Sequence, residues 1–118
     1  MKIAVDAMGG DKAPSEIIKG AVLAVKKFPC EVILVGDENK IREPLDISTG
    51  GEKLPITIKH AGEVVEMNEH PADAVRCKKD SSIVVATNLV KDGECDAVLS
   101  AGSTGAAVTA AQLILRRI

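Results

Sequence analysis

Short apolar runs of strand length alternate with helical segments along the whole chain, and this order constrains the fold more than any other feature. The run Glu31–Gly36 is continuously apolar after its first residue, which is typical of a strand covered on both faces. Strands that alternate with helices pair in parallel through right-handed crossovers. The sequence therefore predicts one α/β domain over residues 1–118. It should have three layers, α/β/α, around a mainly parallel, Rossmann-like sheet that is expected to be incomplete in this chain. The predicted strands are Lys2–Asp6, Glu31–Gly36, Pro55–Lys59 and Asp96–Ser100.

Helix boundaries are predicted from apolar spacing and from capping residues. The first helix carries apolar residues at helical spacing from Ile17, has Pro14 in its first turn and is stopped by Pro29. Ser81 suits the N-cap of a later helix, and Gly93 suits the position after its end. The other predicted helices are Asp37–Glu43, Ala72–Arg76 and Gly105–Arg117.

Composition excludes several classes of function. The chain has one Phe and no Tyr or Trp, so it lacks the aromatic platforms on which single-stranded nucleic acids stack. Its net charge of −2 gives no general attraction to DNA or to an anionic membrane. No apolar run approaches the roughly 18 residues that span a bilayer. Three cysteines without a CxxC pair argue against a disulfide framework and a zinc site, which favours a reducing, cytoplasmic location.

Two glycine-rich loops each join a strand to a helix, at Asp6–Asp11 and at Ser100–Gly105. Such junctions expose backbone N–H groups at the positive end of a helix dipole, and glycine allows an anion to approach closely. Phosphate is a natural ligand there. The alternative is that both turns need glycine for structural reasons alone. Because ligands bind beyond the carboxyl ends of parallel strands, two loops at one edge favour a functional site.

The two acids of the first loop allow two interpretations. Asp6 and Asp11 could bind a metal ion or accept hydrogen bonds from the backbone of their own loop. The second is favoured, because hard cations usually need more oxygen ligands nearby. Neither loop is a GxGxxG or GxxxxGK[ST] motif, so no dinucleotide or ATP site is indicated. We therefore predict no cofactor and no metal.

A basic turn precedes the helix that Ser81 is predicted to cap. Its cations are Arg76, Lys78 and Lys79, followed by Ser81 and Ser82. A solvated turn is the ordinary interpretation, but fixed cations beside a helix N-terminus also suit an oxyanion or an acidic protein partner. His60 and His70 are isolated in the sequence and are not predicted to be catalytic. The three cysteines are predicted to be small buried hydrophobic residues rather than nucleophiles.

Three motifs resemble the PlsX family of phosphate:acyl-ACP acyltransferases. The segment Val5–Asp11 with Ala13-Pro14 is similar to the family's N-terminal signature, and Arg76–Ser82 is similar to its R-x-K-K-x-S-S stretch. Asp96–Ala106 resembles its D-A-x-x-S-A-G-N-T-G-A motif, with Ser103 where the family usually has Asn. The resemblance covers the whole chain and corresponds to roughly the first third of a family member, so catalysis by this chain alone is not expected.

The resemblance implies that inorganic phosphate attacks the thioester of acyl-acyl carrier protein, giving acyl phosphate for phospholipid synthesis. It also implies a homodimer in the cytoplasm, peripheral at the inner membrane face, whose product passes to a membrane acyltransferase. Backbone amides, hydroxyls and Arg or Lys are sufficient for this chemistry. The residues it assigns to substrate or phosphate binding are Asp6, Gly9, Gly10, Asp11, Arg76, Lys78, Ser81, Ser82, Ser100, Gly102, Ser103 and Thr104; no catalytic residue is assigned.

Two rival functions remain open. A phosphotransacetylase-like enzyme would use acyl-coenzyme A in place of the carrier protein. A non-catalytic fragment that binds anions or a partner protein would account for the same glycine loops and basic turn.

Overall fold

The computed structural model describes residues 1–10, 12–66, 69–102 and 104–115, with Thr104 described by its backbone alone. The four strands in this part of the chain form one parallel sheet in the order β3-β2-β1-β4. Their bounds are β1 Lys2–Asp6, β2 Glu31–Gly36, β3 Ile56–His60 and β4 Ala97–Ser100. The predicted strands are therefore confirmed to within one residue at either end, and the α/β/α, Rossmann-like architecture is confirmed.

The helices connect these strands on both faces of the sheet. They are α1 Ser15–Lys27, α2 Glu38–Thr49, α3 Pro71–Cys77, α4 Ser82–Lys91 and α5 Thr104–Ala110, the last continued by a π-helical segment Ala111–Leu115. Ser81 caps α4 by accepting a hydrogen bond from the Val84 N–H, and Gly93 follows the helix with a φ of 81°. The predicted capping of α4 is confirmed at both ends.

Alternate residues along the central strands face opposite layers. Val5, Val32 and Leu34 pack with α1 and α2 on one face. Ala4 and Val35 pack with α4 on the other. This two-sided burial explains why β2 is continuously apolar after Glu31 rather than alternating, as expected for a parallel sheet between helices.

Helix α2 differs from the prediction. The sequence predicted a helix ending at Glu43, yet the helix continues through Pro44 to Thr49. Ile41 is fully buried and Leu45 packs against the same core, so burial of the apolar face offsets the bond lost at Pro44. The last predicted helix is also altered, since its α-helical part ends at Ala110 and residues 116–118 lie outside the described part of the chain.

Candidate functional site

The two glycine loops meet at one edge of the sheet. β1 and β4 are parallel neighbours, so both loops follow carboxyl ends of strands. A Cβ atom added to Gly9 would lie 2.8 Å from the Cα of Gly102, and one added to Gly102 would lie 2.8 Å from the Cα of Gly9. This separation is closer than two non-glycine residues can approach. The prediction that the loops share an edge is confirmed.

Asp6 links the two loops through hydrogen bonds. Its Oδ1 accepts from the Met8 N–H at 3.1 Å, within the first loop. Its Oδ2 accepts from the Ser100 hydroxyl at 3.0 Å, and Ser100 Oγ in turn accepts from the Gly102 N–H at 3.1 Å. Asp6 is only 4% exposed. The prediction that this acid accepts hydrogen bonds from its own loop is therefore confirmed.

Gly10 has a conformation that few other residues adopt. Its φ is 98°, and an added Cβ would lie 3.1 Å from the carbonyl oxygen of Ala101 in the second loop. A side chain there would be strained and would also press against the neighbouring backbone. Asp11 and Ser103 lie outside the described residues, as does the side chain of Thr104, so the structure gives no contacts for these three predicted site residues.

A shallow depression of about 320 Å³ lies beside the glycine loops. Gly9, Gly10 and Ala101 contribute to its lining, together with Lys12 and Glu16. Lys12 was not among the residues predicted from the sequence, although it directly follows the glycine-rich segment. Glu16 forms an ion pair with Lys19 at 3.5 Å, whereas Lys12 has no ion pair in the described part of the chain. Among the described residues, the depression is therefore flanked by one cation that has no ion pair.

An apolar groove of about 370 Å³ begins at Asp6, Ser100 and Ala101 and runs between α1 and β4. Val5 and Leu99, which are partners in the register of β1 and β4, belong to its lining. Leu99 is 62% exposed because β4 is the edge strand of the described sheet. A leucine so exposed beside an apolar groove indicates a surface suited to further cover.

In the basic turn, one cation is engaged and two are free. Lys78 forms a hydrogen-bonded ion pair with Glu69 and also donates to the Val64 carbonyl oxygen at 3.0 Å. The hydrogen bond from Lys78 holds the pKa of Glu69 below its usual range, and the same bond raises the pKa of Lys78. Arg76 and Lys79 are exposed and make no ion pair with the described residues.

The two serines of this turn are buried. Ser81 is 0% and Ser82 is 1% exposed, and the Ser81 hydroxyl is occupied as the cap of α4. The Ser82 N–H donates to the Glu63 carbonyl oxygen at 3.0 Å, while its side-chain hydroxyl has no hydrogen-bond partner among the residues that the structure describes. A buried unpaired hydroxyl costs about 1–3 kcal/mol. In this arrangement neither hydroxyl is open to a ligand in solvent.

Helix α3 begins beside the start of α5, and the basic turn lies at and beyond the other end of α3. A Cβ added to Gly105, in the first turn of α5, would lie 2.6 Å from Pro71 Cγ, so the two helices begin in contact. Arg76 is five residues further along α3, about 7.5 Å along the helix axis. The structure thus brings together Asp6, Gly9, Ser100 and Gly102, and places Arg76 on the neighbouring helix.

The whole chain, residues 1–118, matches a family model described as fatty acid synthesis protein. The chain belongs to this family. It is the PlsX family that the three motifs resemble. Curated relatives named phosphate acyltransferase include those of Desulfitobacterium hafniense strain DCB-2, with 61% identity, and Pelotomaculum thermopropionicum, with 59%. The relative from Desulforamulus reducens is 56% identical.

These PlsX-family relatives are much longer than the chain. Each of the three alignments covers 100% of this chain but only 34–35% of the relative. The chain therefore spans about a third of the length of the curated relatives that it matches.

The structure shows the surroundings of His60 and the burial of the three cysteines. His60 Nδ1 accepts a hydrogen bond from the Glu38 N–H at 3.2 Å, so it supports the start of α2. Cys95 is buried, as predicted, and burial raises the pKa of its thiol. The prediction that all three cysteines are buried is wrong for Cys77, which is exposed, and Cys30 is only partly buried. Cys77 is the last residue of α3, where the chain turns outward to the exposed Lys79.

Among the described residues, no three His, Cys, Asp or Glu side chains are grouped as metal ligands would be. None of the helices there combines the length and apolar character needed to cross a membrane.

Proposed function

We propose that this chain supplies the phosphate-binding edge of an acyltransferase. The enzyme would transfer a fatty acyl group from acyl-acyl carrier protein to inorganic phosphate, giving acyl phosphate for phospholipid synthesis. The observation that carries the proposal is the contact of the Gly9 and Gly102 backbones, which makes one site from two anion-suited loops. The phosphate acyltransferase name of relatives up to 61% identical supports the reaction type.

The proposed reaction needs no nucleophile from the protein. A phosphate oxygen attacks the thioester carbonyl, the new C–O bond forms, and collapse of the tetrahedral intermediate breaks the C–S bond. The carrier's thiolate leaves and takes up a proton from solvent. The protein must hold the phosphate dianion against the carbonyl and stabilise the developing oxyanion. Backbone donors at the loops and cations such as Lys12 and Arg76 suit both tasks.

Within the basic turn, we assign the phosphate-holding charge to Arg76. It is exposed and unpaired among the described residues, and its helix adjoins α5. Lys78, Ser81 and Ser82 would reach phosphate, or the phosphate of the carrier's pantetheine arm, only if the Lys78–Glu69 ion pair and the burial of both serines were undone. Asp11, Ser103 and Thr104 remain proposed site residues on the strength of the motifs alone.

The test of the reaction is a chimeric enzyme in which this chain replaces the matching first third of the D. hafniense phosphate acyltransferase. With inorganic phosphate and palmitoyl-acyl carrier protein we expect release of free carrier protein and formation of acyl phosphate. With palmitoyl-coenzyme A at the same concentration we expect little turnover. Preference for coenzyme A would favour the phosphotransacetylase-like alternative, and a folded chimera without either activity would favour a binding fragment.

A second expectation concerns Arg76. In the chimera, Arg76→Ala should raise the KM for phosphate about ten- to a hundredfold, because a charged hydrogen bond to a bound anion contributes about 1.5–3 kcal/mol. The thermal midpoint should hardly move, since an exposed cation contributes little stability. Arg42→Ala is the control for loss of an exposed arginine away from the loops; its surface ion pair with Glu38 contributes little stability, so both quantities should hardly change. Unaltered phosphate kinetics in Arg76→Ala would mean that the basic turn is an ordinary solvated turn that does not bind phosphate.

We further propose that residues 1–118 form one α/β domain whose sheet is extended beyond β4 in the full-length family members. The support is the exposed Leu99 on the edge strand and the apolar groove beside it. A homodimer, a cytoplasmic location peripheral to the inner membrane face, and transfer of the product to a membrane acyltransferase complete the proposal from the family resemblance.

A further inference from the structure

We propose that Asp6 and Ser100 form a positioning pair that holds the two glycine loops in register and does not itself bind phosphate. The inference rests on the proposed function, because it concerns the same site. Asp6 ends β1 and Ser100 ends β4, and the two residues are partners in the strand register although they are 94 positions apart in sequence. Their hydrogen bond directly links the side chains at the ends of the two strands.

The Ser100 hydroxyl proton and the Gly102 N–H both already have acceptors. The Ser100 hydroxyl has one proton, which it donates to Asp6 Oδ2 at 3.0 Å. The Gly102 N–H donates to Ser100 Oγ at 3.1 Å. A serine hydroxyl offers one donor and a backbone amide offers one, so neither the Ser100 hydroxyl nor the Gly102 amide is left to donate to phosphate in this arrangement.

The charge of Asp6 is a second reason to infer that the pair does not bind phosphate. A carboxylate accepts hydrogen bonds but donates none, and beside a phosphate dianion it is repulsive. Asp6 is 4% exposed, and its two oxygens accept from the Met8 N–H and the Ser100 hydroxyl. Burial with both oxygens bonded suits a structural carboxylate rather than one that contacts an anionic substrate.

The pair acts on the loops through their backbones. From β1, Asp6 orients the Met8 amide at the start of the first loop, and from β4, Ser100 orients the Gly102 amide in the second. The Asp6–Ser100 hydrogen bond joins the two strand ends. It therefore holds the loops in the relative position at which Gly9 contacts Gly102. The amides that receive phosphate are then those elsewhere in the loops, held in place by this pair.

The experiment uses the chimeric enzyme and separates positioning from binding. Ser100→Ala should lower kcat about 100-fold, because misplaced reacting groups cost about that much, while the KM for phosphate changes less than about threefold. Ser100→Thr keeps the hydroxyl and should recover most of kcat. The double variant Asp6→Leu with Ser100→Ala should be no slower than the slower single variant, because each change removes the Asp6–Ser100 hydrogen bond. Ser48→Ala on α2 is the control for loss of a serine hydroxyl.

Hydrogen exchange supplies a measurement that does not depend on the reaction. With glycine-selective ¹⁵N labelling, the Gly102 amide should exchange at least about tenfold faster in Ser100→Ala than in Ser100→Thr, since only the alanine variant lacks its acceptor. If Ser100→Ala does not fold, Ser100→Cys takes its place, because a thiol is a much weaker partner. A chimera that folds but transfers no acyl group would refute the proposed function. The exchange rate of the Gly102 amide would still show whether the Asp6–Ser100 pair positions the loops.

Three results would overturn the inference. One is a rise in phosphate KM in Ser100→Ala with kcat unchanged, which would make Ser100 a direct ligand of phosphate. Another is a double variant whose loss of kcat is the product of the two single losses. The third is Gly102 exchange that is the same in Ser100→Ala and Ser100→Thr.

Discussion

Replacing Gly9 by alanine should destabilise the protein by about 1–3 kcal/mol, the usual cost of forcing an extra carbon into a packed site. The added Cβ would lie 2.8 Å from both the Cα and the N of Gly102 and 3.0 Å from Asp6 Oδ2. Because the obstructing atoms are backbone, the loops must separate to admit it. In the chimera we also expect kcat to fall about 100-fold, since the loops then leave their relative position.

Gly20→Ala is the matched control, and it should change stability in the opposite direction. Gly20 lies in the interior of α1, and a Cβ there would meet nothing within 4 Å. Alanine at such a helical position stabilises by roughly 0.5–1 kcal/mol relative to glycine. Urea unfolding followed by circular dichroism measures both changes. If Gly9→Ala and Gly20→Ala changed the free energy of unfolding by equal and small amounts, the loops would not need their close contact.

Replacing Leu99 by lysine should destabilise the chimeric enzyme by about 2–4 kcal/mol, because a charge would be forced into apolar surroundings. The expectation follows from the proposal that full-length family members extend the sheet beyond β4 and cover the adjoining groove. Leu99 is 62% exposed in the described chain, so this structure alone would predict a tolerated change. The measurement is the shift of the thermal unfolding midpoint of the chimera.

Leu23→Lys provides the comparison at equal exposure. Leu23 is 60% exposed on α1, whose other face packs on the sheet. Surface substitutions of this kind usually change stability by less than about 0.5 kcal/mol. A Leu99→Lys midpoint as little shifted as that of Leu23→Lys would mean that β4 remains an open edge in the longer enzyme, and the domain proposal would be wrong.

The strands could be predicted from the sequence because their signals are local. Continuous apolar runs such as Val32–Val35 occur only where both faces of a strand are covered, and their limits are visible as the polar residues that follow. The meeting of the glycine loops was also predictable, because parallel neighbours end at the same edge. The end of α2 was not, since Pro44 is a local stop signal that burial of Ile41 overrides.

Part of the candidate site could likewise be predicted from the sequence, and part could not. Residue types alone placed Gly9, Gly10 and Gly102 at an anion-suited edge, and the backbone freedom of glycine gives the physical reason. Lys12 was missed because a single lysine after a glycine loop is unremarkable until the depression beside it is visible. Chemical type also made Lys78 and Ser81 look available for a ligand, whereas their partners are Glu69 and the Val84 amide.

The sequence by itself determined the strands and helices, the parallel pairing of the strands and the edge at which the two loops emerge. Each of these depends on periodicity or on a backbone preference within a few residues. Only the tertiary structure decided which polar groups remain free. Asp6 and Ser100 are 94 residues apart, and nothing local to either shows that one would use the other's hydrogen-bonding capacity. A hydrogen-bond partner is a matter of distance in three dimensions, and residue type gives only the capacity to form the bond.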